Sequence, residues 1–353
     1  VSRLLVLTGW LCGRRLSLAL GASVLASAPP APLLATVPPP PDHARVIVTQ
    51  DASALEVFTP RSDVVRRLVD AGLRRLTEQP TAAAAWRALV STQDTVGIKV
   101  LAAPGPLVGT RPAVVEALVQ GLLEAGLPPR QIVIWDKRLS DLRLAGYGEL
   151  ARRYGVRLAG SADAGYDEHV SYTAALVGKL LWGDLEFGKS GEGVGRRSFV
   201  SKLLTQEVTK LVLVSPLLNH NQLGVSGNLY SLAFGSVDNT LRFETSPVHL
   251  AQAIPELCAM EVLGDRVVLC VMDALLGQYV GEELARLHQS AKLNQLWFSR
   301  DPVALDVLAI QRLEDLRTAA GLPPTKPKLD VYDNAALLEL GVSDPKKIHL
   351  IPE

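Results

Sequence analysis

The sequence predicts an α/β protein whose mixed, largely parallel sheet is flanked by helices, in two α/β halves joined by a glycine-rich loop. Three observations predict it. Short apolar runs alternate with amphipathic stretches from Asp42 onward, the rhythm of strand–helix units. The chain has 353 residues, 48% of them apolar, enough for a core that needs no disulfide or metal staple. Five glycines, Gly183, Gly188, Gly191, Gly193 and Gly195, crowd the middle and interrupt the alternation. The organisation read from this is a leader over 1–41, a first half over 42–182, the loop over 183–200 and a second half over 201–353.

The elements follow in order. Arg45 to Thr49 reads as a strand, and Val64 to Leu76 as a helix with Val64, Val65, Leu68 and Leu76 on its apolar face. Val96 to Leu101 is a strand. Thr110 then reads as an N-cap, with Pro112 in the first turn of a helix that ends at Gly126. A strand from Gln131 runs into Asp136, Leu139 to Tyr154 is a helix closed by Gly155, and Val156 to Ala159 is a short strand. Beyond the loop come strand Lys210 to Val214, helices Ser226 to Phe234 and Pro247 to Leu263, strands Arg266 to Met272 and Leu296 to Ser299, and a helix from Pro302 to about Leu316.

The leader has its own signature. Residues 1–41 carry Arg3, Arg14 and Arg15 but no acid, and a short Ala-rich apolar stretch from Leu16 to Ala26 follows the arginine pair. A cationic start, an apolar segment and small residues make an export signal. The paired arginines direct it to the twin-arginine route, with cleavage near Ala35. Pro29, Pro30 and Pro32 break the run before the ~20 apolar residues a membrane span needs. The expected address is therefore periplasmic or otherwise extracytoplasmic, with membrane contact only through an uncleaved signal.

Charge and cysteine usage narrow the function. Lys plus Arg number 36 and Asp plus Glu number 36, so no basic field exists to hold a nucleic acid or an anionic membrane. Three cysteines cannot build a disulfide framework. Cys258 and Cys270 lie in apolar surroundings and read as buried, inert thiols.

Two motifs fail on their chemistry. Gly183 to Ser190 spells a phosphate loop, and the strand ending at Asp273 looks like its magnesium partner. The residues after Ser190 include three glycines, each costing a helix about 1 kcal/mol relative to Ala, so the required helix is not expected there. Gly224-Val225-Ser226-Gly227-Asn228 approaches a nucleophile elbow, and Asp273 and His288 follow in hydrolase order. The elbow needs glycine where Asn228 stands, and Ser226 serves as well as a helix cap. A serine-type hydrolase stays a minor alternative.

Position is the better guide. Ligands of open α/β sheets sit beyond the C-terminal ends of the strands. Those ends carry Lys99, Asp136, Asn219-His220-Asn221, Asp273 and Asp301. Asp301, before Pro302, is explained as a cap. The others predict a small-ligand, cofactor or metal site on one edge. His220 would be a ligand or proton carrier, Asn219 and Asn221 would orient it, and Asp136 and Asp273 would supply charge. His220, Asp136 and Asp273 are the candidate metal ligands, and His220 and Asp273 the candidate catalytic pair. The helix starts at Thr110 and Ser226 offer backbone donors to an anion. The second reading is a non-catalytic binding or assembly protein whose site has decayed.

At these same positions the chain resembles the domain of unknown function 362 family, in its exported, twin-arginine branch. The resemblance rests on Ile98-Lys99-Val100, Thr110-Arg111-Pro112, Trp135-Asp136, Ser215-Pro216 leading to His220, and Gly224 to Gly227. It continues through Phe234 to Asn239, Met272 to Leu275, Ser299 to Asp306, and the tail from Tyr332 to Val342. It implies an α/β fold and adds Arg111 and Asn239 to Lys99, Asn219, Asn221 and Ser226 as cofactor-binding candidates, with Lys99 or Arg111 holding an anionic group. A metal ion or a small anionic cofactor would suit these residues. The ferredoxin-like cysteine clusters of some relatives are missing, so no iron–sulfur cluster is expected. The chain departs from the pattern at Leu218, where relatives carry Lys, at Tyr230-Ser231 in place of Lys-Asn, and at Glu244 in place of His. These departures imply a different ligand or a lost activity.

Overall fold

A computed structural model describes residues 43–173, 196–244, 246–327 and 329–353. The expected export signal and the phosphate-loop-like Gly183 to Ser190 lie outside the described residues, with the rest of the glycine-rich loop to 195.

The first half contains β1 (Ala44–Gln50), a small hairpin of β2 (Leu55–Glu56) and β3 (Thr59–Pro60), α1 (Ser62–Thr77), α2 (Ala82–Arg87) and β4 (Val96–Val100). It continues with α3 (Pro112–Glu124), β5 (Ile132–Asp136), α4 (Leu139–Leu144), α5 (Tyr147–Tyr154), β6 (Arg157–Gly160), α6 (Ser161–Ala164) and β7 (Tyr166–Thr173). The second half begins with β8 (Arg197–Ser201), β9 (Lys210–His220), β10 (Gly224–Val225), α7 (Asn228–Ser236), α8 (Leu241–Glu244) and α9 (Pro247–Cys258). After these come β11 (Val267–Gln278), β12 (Ser290–Ser299), α10 (Pro302–Ala319), α11 (Asp330–Leu337) and β13 (Ile348–Pro352).

Among the described residues, nine strands form one sheet in the order β13-β1-β12-β11-β9-β4-β5-β6, with β10 added to β9. From β11 to β6 the strands run parallel, β12 runs against both β11 and β1, and β13 lies parallel to β1. The expected mixed, largely parallel sheet is present, and both halves of the sequence feed it: β4 pairs with β9, while β1 lies between β12 and β13. β7 and β8 pair antiparallel outside this sheet, so 197–200 is strand rather than loop.

Strand alternation assigns the faces. Val96, Ile98 and Val100 of β4 pack with residues of α1, α2 and α3 on one face. Trp135, Leu211 and Leu213 join residues of α7, α9 and α10 on the other. Cys258 and Cys270 are free and buried, as their surroundings suggested.

Several local expectations are corrected. The helix expected over Leu139–Tyr154 divides into α4 and α5, because Gly146 takes φ +93 and a right-handed helix cannot pass through it. The strand expected to end at Val214 continues to His220, since Leu217 and Leu218 remain buried and β10 pairs back onto its end. The helix after Pro247 stops at Cys258 rather than Leu263.

Thr110 is not the cap of α3. Its hydroxyl donates to the Val214 carbonyl and accepts from Leu101 N, and Arg111 takes the cap position. Ser226 likewise does not cap α7. Asp306 of α10 does so, accepting from the backbone N of Asn228 and Leu229 and from the Asn228 amide. Gly227 is needed there, because a Cβ would collide with the Asp306 carboxylate. Asp301 caps α10 as expected, accepting from Ala304 N at 2.8 Å.

Burial pushes the Asp306 carboxyl up from 3.8 to about 7, against its three donors. The native state then holds a proton that the unfolded chain releases above pH 3.8, so this contribution to stability is full below that value and disappears as pH rises through about 7. Asp306→Asn should flatten the decline in urea-unfolding free energy across that window. An unchanged slope would contradict the assignment.

Candidate functional site

The chain passes from β4 through β5 to β6 on one side, and β9, which follows β8, then lies on the other side of β4. That reversal is a topological switch point, where the crossovers depart to opposite faces and leave a crevice beyond the strand ends. A cavity of about 500 Å³ lies there, against the ends of β4 and β5 and the side of α7.

Its floor is built from a buried lysine. Lys99 sits in register with Trp135, its ammonium 5.5 Å from the indole centroid, and Gly97 leaves room for that indole. Lys99 Nζ donates to Asp136 Oδ1 at 2.8 Å, Ser231 Oγ at 2.9 Å and the Val100 carbonyl at 2.6 Å. All three ammonium hydrogens are thereby placed. Only 1% of Lys99 is exposed, and burial lowers its pKa below the ordinary lysine value while Asp136 pulls the other way. Asp136 also accepts from the backbone N of Ala102 and of Lys137, each at 2.8 Å. α7 can cross this floor because it presents Gly235, where a Cβ would collide with Lys99 Cε.

The walls divide by chemistry. Tyr166, Tyr230 and Phe234 give aromatic surface, with the Tyr230 and Phe234 centroids 4.4 Å apart. Lys137 donates to Thr240 Oγ1 at 2.8 Å, and Asn239, at φ +47, donates from Nδ2 to the Arg197 carbonyl. Asp238 accepts from Phe199 N, and Arg138 is exposed at the rim. Asp141, Glu244 and Glu283 line the same cavity and form no ion pair among the described residues. Partial desolvation, and then the nearby carboxylates of Asp136, Glu282, Glu244 and Asp141, raise the Glu283 carboxyl above its ordinary value. Desolvation also raises the Tyr230 phenol, with Glu283 and Glu244 adding to it.

The other residues singled out from sequence are placed elsewhere. Arg111 and Asp273 form a second buried pair at 2.8 Å, and Asp273 also accepts from the backbone N of Arg111 and Leu275. Neither lines the cavity. His220 ends β9; its Nδ1 accepts from the backbone N of Gln222 and Leu223, and its ring lies 4.9 Å from that of Tyr230. Burial lowers the His220 pKa below the ordinary imidazole value, although Glu282 opposes this. Asn219 and Asn221 bond to the β11–β12 loop at Glu282. Ser226 is buried, and its backbone N donates to the Leu218 carbonyl at 2.8 Å, tying the end of β10 back to β9.

The single rim expected from sequence is thus three separate clusters. The proposed ligand set of His220, Asp136 and Asp273 is not brought together. Among the described residues, no group of three or more His, Cys, Asp or Glu is placed to hold an ion. The hydrolase relay is not assembled either: Asp273 is bonded to Arg111, and His288 is exposed. Lys99, Asp136 and Asn239 are the predicted residues that share the cavity. Sequence reasoning missed Lys137 and Thr240, each directly beside a residue already noted, and noted Ser231 only as a departure from the resembled pattern. It also missed Glu283, which carries no local signal because a long loop delivers it.

The family profile described as domain of unknown function (DUF362) matches residues 96–311. No curated protein matches the chain. A crystal structure of a protein from Thermotoga maritima aligns with a TM-score of 0.40 and 13% identity, covering 76% of this chain and 61% of that one.

Lys99→Met would leave the Asp136 carboxylate buried without its cation, a change that costs about 3–5 kcal/mol. Adding Asp136→Asn should recover much of that loss in urea unfolding. A single-variant loss below about 1 kcal/mol would show that the pair does not hold the floor.

Proposed function

The chain belongs to the DUF362 family, and from the geometry of its crevice we propose that it binds a small organic cation bearing an amine or ammonium group. The observation that carries this reading is the contrast between bonded bases and unpaired acids on one cavity wall. Lys99 and Lys137 already donate to protein acceptors, and the third base of the lining, Arg138, lies exposed at the rim, whereas three acids, Asp141, Glu244 and Glu283, have no cationic partner among the described residues. A positive ligand would relieve the carboxylate repulsion that adds to desolvation in raising Glu283. Tyr230 and Phe234 add aromatic faces, which attract cations by about 0.5–2 kcal/mol. The volume suits a small metabolite rather than a polymer. Arg111, read from sequence as an anion holder, is bonded to Asp273 and supplies no free charge to the crevice.

Calorimetric titration with putrescine, spermidine and tetramethylammonium chloride tests the reading, with magnesium chloride and sodium phosphate as controls. At least one organic cation should bind at low salt, and Glu244→Gln and Glu283→Gln should each weaken it about fivefold, the effect of losing roughly 1 kcal/mol. Phosphate binding that survives both substitutions, with no cation bound, would reject it.

A further inference from the structure

The Asn219-His220-Asn221 motif ends β9 outside the cavity, yet its bonds lead to it. The β11–β12 connection closes on itself, with Tyr279 N donating to the Gln289 carbonyl. The buried Gln278 side chain fills its centre, donating to the Glu282 and Leu284 carbonyls and accepting from Arg286 N. Within this loop Glu282 takes φ +52, a left-handed conformation sparsely populated by residues with a Cβ. Two bonds from the motif hold it there. Glu282 N donates to Asn219 Oδ1 at 3.1 Å, and Asn221 N donates to Glu282 Oε1 at 2.8 Å. Asn219 Nδ2 in turn donates to Asn221 Oδ1, so the two anchors brace each other. The next residue, Glu283, lines the cavity.

We propose that Asn219 is a positioning residue: with Asn221 it fixes Glu282 in its left-handed turn and so sets the Glu283 carboxylate at the cavity wall. The importance of that carboxylate for a ligand rests on the cation reading above; the anchoring does not. The carboxylates that act on Glu283 are Asp136, Glu282, Glu244 and Asp141, and Lys99, Lys137, Asp238 and, at the rim, Arg138 line the same cavity. Glu283 is already exposed on one side, and removing the anchor would let it move away from these neighbours.

The test follows the Glu283 carboxyl by carbon-13 NMR titration, together with hydrogen exchange over 279–289. In the wild type Glu283 should titrate above an ordinary glutamate. In Asn219→Ala it should move back toward the ordinary value, with exchange accelerated several-fold within 279–289 only. Asn219→Asp, which keeps the acceptor, should retain protection of the Glu282 amide. Because Asn219 is buried at a strand end, Glu282→Pro and Glu282→Gly form a second pair. Both remove the same charge, but proline has neither the N–H nor access to positive φ, whereas glycine has both. The proline variant should release Glu283 and the glycine variant should not. An Asn219→Ala titration identical to wild type, exchange that rises throughout the chain, or equal behaviour of the proline and glycine variants would overturn the proposal. If putrescine, spermidine and tetramethylammonium all fail to bind the wild type, the cation reading falls, and these titrations still decide the role of Asn219.

Discussion

A lysine buried in the central strand of a sheet is tolerable only when acceptors wait for each ammonium hydrogen. β4 meets that demand through three elements at once: its own Val100 carbonyl, Asp136 from β5 and Ser231 from α7. The arrangement fixes where α7 lies, because Gly235 and Ser231 must both meet the lysine. Asp306 holds the start of the same helix from α10. With α7 held at two points, the space between it and the ends of β4 and β5 is a permanent feature of the fold.

The two buried ion pairs have a shared consequence. Asp136 accepts from Ala102 N and Asp273 from Arg111 N, so each carboxylate grips one end of the segment between β4 and α3. Thr110 closes that segment at its base through Leu101 and joins it to β9 through the Val214 carbonyl. A buried pair contributes little net stability relative to apolar side chains of the same volume, whereas breaking one costs about 3–5 kcal/mol. The effect of these pairs is therefore on position. They hold Leu101 and Ala103 at the cavity edge.

Much of the architecture was legible because the strands are apolar runs closed by a charge or a glycine. Lys99 and Asp136 stood out for that reason, and both reach the crevice. Their partnership did not, since spacing along the chain says nothing about register between strands. Arg111 and Asp273 were likewise both noted, but as ligand contacts, and their separation of 162 residues hid the bond between them. The helix caps failed for a related reason. Thr110 and Ser226 have the right chemistry at the right place, but Asp273 reaches the start of α3 and Asp306 that of α7 from distant elements. Asn219 and Asn221 were read as facing a ligand because β9 was ended too early. Once the strand runs to His220, they face a neighbouring loop.

The departures from the family pattern noted in the sequence converge on the same crevice. Tyr230, Ser231 and Glu244 line it, and Leu218 packs with Leu101 and Val108 in a small apolar cluster that includes Tyr230. Position 230 presents a phenol and position 244 a carboxylate to the crevice, while position 218 places an apolar side chain in the cluster beside it. Tyr230 brings no positive charge to the wall, and Glu244 adds a negative one. At a partly exposed wall such a charge is worth roughly 1 kcal/mol to an oppositely charged ligand, comparable to one hydrogen bond. The floor made by Lys99 and Asp136 lies beneath these side chains. On the proposed reading, ligand charge is set by side chains that α7 and α8 present to the crevice, without any change to the pair beneath them.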